Sequence, residues 1–288
     1  VLTATAAANG SSFTGPLDAA LISDASTIYF TAQSTTGAGV FSFTSGSALG
    51  SATAFAVGAP FVAPFGIAIS GDDTTAYVAD PASSDQNFGE IAAVDLTAGT
   101  ITPIAGTANT APIGIAISTD FAGTDTLYFT GVDILTGDPG VFSLDPSVGT
   151  VTTVFEGAPL VKPSGVAAVV GNSATTVYVL DAEAAGTIIY QLTSGAPTVL
   201  AGPLPVGFPS GVDSRLDGSA LLVSGFDPVK ASDVVYSVAL PGGAVTQLAL
   251  TALTGFNESG GLHRAQLADS FAFVDGTANS TGTIFQIQ

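Results

Sequence analysis

Apolar residues along this chain come in short runs cut by glycine, proline and small polar residues, and the runs repeat. Pro64-Phe65-Gly66-Ile67-Ala68-Ile69-Ser70 is followed by Thr75-Ala76-Tyr77-Val78-Ala79-Asp80. The same two-run unit opens at Pro16 and at Pro112, each 48 residues from Pro64. Further copies open at Pro163 and Pro209 and, in altered form, at Glu258-Ser259-Gly260. No stretch combines apolar spacing at i, i+3, i+4 and i+7 with helix caps, so helices are not expected. Nearly continuous apolar runs of this length are the mark of strands covered on both faces.

Each unit continues with two more strand-like runs, for example Gly89–Val94 then Thr100–Ile104, and Thr187–Leu192 then Thr198–Leu200. Turn residues such as Ala98-Gly99, Val148-Gly149 and Pro241-Gly242-Gly243 separate them. Six units of four strands over 288 residues predict an all-β chain, a six-bladed β-propeller with four antiparallel strands per blade. It is read as one domain, 1–288, with blades near 16–61, 62–109, 110–160, 161–207, 208–255 and 256–288 plus 1–15. The last unit stops after a third strand, so the N-terminal run Val1–Ala6 is expected to supply the fourth and close the ring. A linear stack of β-repeats would have shorter coils and terminal caps.

Composition narrows the partners. The chain carries 23 acidic and 4 basic residues, a net charge of −19, and the basic ones (Lys162, Arg215, Lys230 and Arg264) are scattered along it. Phosphate backbones and anionic membrane surfaces need clustered Lys and Arg, so nucleic acid is excluded as a partner. Without cysteine there are no disulfides, thiolate metal sites or thiol nucleophiles. No apolar run reaches the length of a membrane span. Together with the absence of methionine, including at Val1, this gives the expectation of an exported monomer: secreted, periplasmic or at the cell surface.

In such a ring, turns entering inner strands and turns leaving second strands share a face. Asp80, Asp181 and Asp275 close second strands, Asp227 falls just beyond one, and Asp18, Asp213, Asn257 and Glu258 belong to the starts of inner strands. Gathered around the channel mouth, these side chains are expected to bind a Ca²⁺-like cation, a hard ion suited to carboxylate and carbonyl oxygens. His263, the single histidine, lies on the inner strand of blade six and is a candidate general base. Ser164, Ser210 and Ser259 precede glycines at equivalent places, which points to a backbone requirement of the turn rather than to nucleophiles. Asp85-Gln86-Asn87-Phe88-Gly89-Glu90 has some alternation of a calcium loop but lacks its later bidentate acid.

Pro64-Phe65-Gly66-Ile67-Ala68 to Tyr77-Val78-Ala79-Asp80, Pro163-Ser164-Gly165-Val166 to Tyr178-Val179-Leu180-Asp181, and Glu258-Ser259-Gly260 to Phe273-Val274-Asp275 resemble the six-bladed propellers of the NHL-repeat and SMP-30/gluconolactonase/paraoxonase-like group. The resemblance implies a calcium-dependent hydrolase of lactones or esters, with Glu258 as the channel glutamate and Asp275, Asp181 or Asp80 as the strand-end aspartate. The positions before the repeat glycines, where that group places asparagine, hold Phe65, Ile113, Ser164, Ser210 and Ser259. On this reading the cation polarises a carbonyl or ester oxygen while His263 or a carboxylate such as Asp275 manages the proton. A non-catalytic propeller binding a small molecule or a protein stands as the alternative, because a fold does not fix a function.

Overall fold

The computed structural model describes residues 4–10, 12–83, 88–171, 174–193, 195–249 and 259–288. Asn257, Glu258 and the 85–87 stretch of the acidic loop therefore lie outside the described residues. The strands form six four-stranded antiparallel sheets. After β1 (Ala4–Asn9), the first blade consists of β2 (Thr14–Leu21), β3 (Thr27–Ser34), β4 (Gly37–Thr44) and β5 (Thr53–Val57). The second holds β6 (Ile67–Ile69), β7 (Thr75–Asp80), β8 (Glu90–Asp95) and β9 (Ile101–Pro103). The third holds β10 (Ile115–Thr119), β11 (Asp125–Val132), β12 (Pro139–Asp145) and β13 (Thr150–Glu156). The fourth holds β14 (Pro163–Val170), β15 (Thr175–Glu183), β16 (Gly186–Leu192) and β17 (Thr198–Leu204). The fifth holds β18 (Ser210–Ser214), β19 (Ala220–Asp227), β20 (Ser232–Ala239) and β21 (Val245–Gln247).

The sixth blade joins β22 (Ser259–Arg264), β23 (Phe271–Asp275) and β24 (Thr283–Ile287) to β1, in the order β1-β24-β23-β22. Ala4 stands opposite Ile287 and Asn9 opposite Thr283, so the N-terminal strand closes the ring. Among the described residues the helical structure is one 3₁₀ turn, Ala278–Ser280. No described helix is long and apolar enough to cross a membrane.

The seams between blades are the core. At the closing seam Phe13, Phe30, Phe41 and Phe43 pack with Ala265, Ala272, Val274 and Ile284, and the Phe13 and Phe30 rings meet edge to face with centroids 4.7 Å apart. Similar clusters fill the other seams. β23 is buried along its whole length because it has a blade on either side, which explains its unbroken apolar run. The outer β21 is exposed throughout.

The repeated glycine has a packing cause. A Cβ on Gly66 would strike the carbonyl oxygen of Ile113, one on Gly114 that of Ser164, and one on Gly165 that of Ser210. Each glycine thus abuts the residue before the next blade's glycine, and this close backbone approach is what the pattern encodes. It also draws the starts of the inner strands tightly together.

Candidate functional site

Strand pairing puts six residues at one level of the inner strands. Ala20, Ala68, Ala116 and Ala167 each stand opposite a tyrosine of the second strand: Tyr29, Tyr77, Tyr128 and Tyr178. In the fifth and sixth blades that level is occupied by Asp213, opposite Leu222, and His263, opposite Ala272. One step further along, Ile69 and Ile117 are matched by Arg264, opposite Phe271. Three chemically active side chains therefore break a small apolar repeat on one side of the channel.

The channel holds two cavities. A funnel of about 400 Å³ opens at the C-terminal ends of the inner strands, with Asp213, Arg215, His263 and Arg264 on its polar wall and Ala68 and Ile117 among the residues facing them. A pocket of about 20 Å³, room for roughly one water, lies at the other end among Asp18, Phe65, Ser164, Ser210 and Gly261. His263 lines both. The expected mouth at the strand starts is thus the narrower end among the described residues, because the glycine-to-carbonyl contacts pull it shut.

Asp18 occupies the place that glycine takes in later repeats, so its side chain enters the channel instead of making room for a neighbour. Its Oδ1 accepts from the Ala19 amide at 2.8 Å, and its Oδ2 accepts from the Ile67 amide at 3.0 Å. His263 Nε2 lies 2.9 Å from the same Oδ2 and donates to it, which leaves Nδ1 without a hydrogen bond to the described residues. The carboxyl group of Asp18 lies where a Cβ on Gly261 would be, so Gly261 is what admits it. Burial alone would lower the His263 pKa, but the charge of Asp18, its hydrogen bond and the charge of Asp213 outweigh burial and hold it above its ordinary value. The pair ties the sixth blade to the first.

Asp213 accepts from the Ser214 amide through Oδ1 and from the Arg264 amide through Oδ2. Arg264 donates from Nε to the Ser214 carbonyl at 2.7 Å and from Nη1 to the Ala265 and Gln266 carbonyls. Arg215 forms an ion pair with Asp269 at 3.1 Å, and Asp269 also accepts from the Leu216 amide. Arg215 and Arg264, distant in sequence, thus meet at one opening. The sequence signal for this site was the replacement of alanine and isoleucine by Asp213, His263 and Arg264 at matched positions in the last two repeats.

The strand-end aspartates do not gather at the channel, contrary to expectation. Asp80 accepts from the amides of Val62, Ala63, Ala82 and Ser83, holding the loops on either side of it. Asp181 accepts from the Val161 and Lys162 amides of the loop that leads into β14, and burial raises its pKa. Asp227 accepts from the Val229 and Lys230 amides and pairs with Lys230 Nζ at 3.1 Å. Asp275 accepts from the Thr277 and Ala278 amides, and burial raises its pKa too. None of the four lines either cavity. Asp227 and Asp275 are taken by amides of their own following turns, Asp181 by the loop that leads into its blade's inner strand, and Asp80 by both.

Among the described residues no three His, Asp or Glu side chains come together to hold a metal ion. The channel carboxylates Asp18 and Asp213 already face His263 and backbone amides. This set does not fit Ca²⁺, which takes six to eight oxygens. The expected ligands Asn257 and Glu258 lie outside the described residues.

No family model matches the chain, and no curated protein does. Solved structures do. A gluconolactonase from Xanthomonas campestris is 14% identical with a TM-score of 0.63, over 96% of this chain and 86% of its own. The calcium-binding protein regucalcin from Agrobacterium tumefaciens is 11% identical with a TM-score of 0.63, over 98% of this chain and 95% of its own. A Bacteroides thetaiotaomicron protein of unknown function is 14% identical with a TM-score of 0.68, over 100% of this chain and 76% of its own. At these identities the likeness establishes the propeller fold alone.

Proposed function

We propose that this propeller takes a small organic molecule into the funnel and hydrolyses a lactone or ester there, with His263 as the proton acceptor and Asp18 as its support. The observation that carries the reading is His263 itself, on the wall of the funnel, with Nε2 bound to Asp18 and Nδ1 left over. In the neutral imidazole the proton sits on Nε2, facing Asp18. Nδ1 then takes a proton from water as the water oxygen bonds to the carbonyl carbon. The ring or ester C–O bond breaks, and the proton passes to the leaving alkoxide, giving an acid and an alcohol. Because the His263 pKa is raised, the neutral form grows only as pH increases, so the rate should climb across the neutral range.

The test is turnover of γ- and δ-lactones and 4-nitrophenyl acetate from pH 6 to 9, by wild type and His263→Gln. A rise with pH that His263→Gln removes supports the reading; turnover no faster than buffer, or unaffected by the substitution, sinks it. In that event the non-catalytic binding propeller takes its place. That second reading is favoured by the His263–Asp18 contact serving as a strut between the sixth and first blades. A cation held with help from Asn257 and Glu258 predicts a higher melting temperature with Ca²⁺ and a lower one with chelator. The fit of the described channel residues leads us to expect neither shift. Export and a monomeric state belong to the same proposal, checked by cell fractionation and light scattering.

A further inference from the structure

We propose that the ligand of the funnel is a monocarboxylate with a compact apolar body, anchored through the Nη2 amino group of Arg264. This rests on the funnel being the ligand site but not on any hydrolysis taking place there.

Counter-charges make the case. In a chain of net charge −19, carboxylates outnumber cations several-fold, and the cations are mostly satisfied. Arg215 pairs with Asp269, Lys230 with Asp227 and His263 with Asp18, while Lys162 lies over the Phe208 ring. Arg264 differs. Its Nε and Nη1 donors go to three backbone carbonyls, no carboxylate of the described residues is in ion-pair range, and its Nη2 donors have no acceptor among them. Three carbonyls fix the guanidinium plane and occupy one donor nitrogen of each of its edges, so Nη2 remains as a preorganised charged donor rather than a wandering charge. An anionic oxygen is the natural partner of such a donor, through a charge-assisted hydrogen bond.

The surroundings choose among oxyanions. Asp213 and Asp217 also line the funnel, and a second negative charge on the ligand would meet them, which disfavours phosphate dianions against a single carboxylate. The opposite wall is built from small and branched apolar side chains, Ala68, Ile69, Ala116, Ile117, Ala168 and Val169, which fit a hydrocarbon body. A volume near 400 Å³ suits a molecule the size of an aryl or short-chain acid.

The probes are benzoate and butyrate, each against its own amide, with inorganic phosphate as a third arm. Binding is read by ligand-observed NMR on the full chain at low salt. In wild type each carboxylate should bind roughly tenfold or more tightly than its amide, the scale of a charge-assisted hydrogen bond. Arg264→Gln should abolish that difference, and Arg264→Lys, which keeps the charge without the carbonyl-fixed guanidinium, should restore some of it. If Arg264→Gln does not fold, the wild-type comparison of acid and amide decides alone. Equal binding of benzoate and benzamide, tighter binding of phosphate, no binding of either acid, or a preference surviving in a folded Arg264→Gln would each overturn the proposal. A failed hydrolysis reading looks different: no turnover and an inert His263→Gln, with the preference for carboxylate intact.

Discussion

Gly261→Ala concentrates the closure of the ring into one methyl group. The backbone at Gly261 is not left-handed, so alanine is tolerated locally, but its Cβ would overlap the carboxyl group of Asp18. Asp18 must swing away, and three bonds go with it: Ala19 N–H to Oδ1 at 2.8 Å, Ile67 N–H to Oδ2 at 3.0 Å and His263 Nε2–H to Oδ2 at 2.9 Å. The side chains of His263 and Asp18 are only 12% and 4% exposed, so water does little to replace the loss. Breaking a buried charge pair costs about 3–5 kcal/mol. For a domain of this size that corresponds to a melting temperature lower by about 6–10 °C. Calorimetry near pH 6 measures it, with Gly207→Ala as the control, since a Cβ there meets nothing within 4 Å. A second comparison adds Asp18→Asn to Gly261→Ala; the two should be far from additive because they remove the same contact. A Gly261→Ala protein melting within about 2 °C of wild type, or full additivity with Asp18→Asn, would refute the picture of Asp18 wedged between three blades.

The remaining expectations concern pH, closure and the loop carboxylates. The folded pKa of His263 is raised, so its pairing with Asp18 contributes fully below the unfolded value near 6.5 and is lost as pH rises through the folded value. Thermal melts of wild type and His263→Gln should therefore converge on the alkaline side and separate below about pH 6.5; a constant gap would count against the ion pair. Asp24, Asp72, Asp95, Asp145 and Asp217 have lowered pKa values, with side-chain or backbone hydrogen bonds in their own turns as the leading causes. Their contribution is present above the unfolded value of 3.8 and disappears as pH falls through their folded values, so acid unfolding should begin below about pH 4. Removing residues 4–9 uncovers β24, whose Ile284, Phe285 and Ile287 are buried, and should cost about 5 kcal/mol or more in urea unfolding. Asp80→Ala strands four amides and should destabilise by about 3–5 kcal/mol, while leaving funnel binding unchanged. Loss of binding without loss of stability would reverse the assignment of Asp80.

Much of the architecture was legible because the repeat is a local signal. The proline-to-glycine spacing and the partial last unit specified the number of blades and the closing strand, since each blade must cover its neighbour. His263 was legible as the single imidazole, and Asp18 and Asp213 as inner-strand carboxylates. Their partners were not. Asp18 meets His263 across 245 residues, a distance that only the closed circle cancels. Arg264 looked like one of four scattered cations, because its place beside Ser214, 50 residues away, depends on the packing of the fifth blade against the sixth. Which end of the channel opens depends on how closely six strand starts approach one another, a sum over the whole circle that no single repeat contains. Asp80, Asp181, Asp227 and Asp275 pointed towards a common opening in sequence, yet each was captured by loop amides of its own blade, in the following turn or in the loop that leads into the inner strand.

The pairing of β1 with β24 has a mechanical consequence. Because the two strands are antiparallel, with Ala4 beside Ile287, opposed tension applied near those residues loads the first rung before the others. The rungs would then separate in succession, like a zip, rather than sharing the force as they would in shear. This blade would give way to a weak pull at its free corner, while the same sheet resists heat as a cooperative unit.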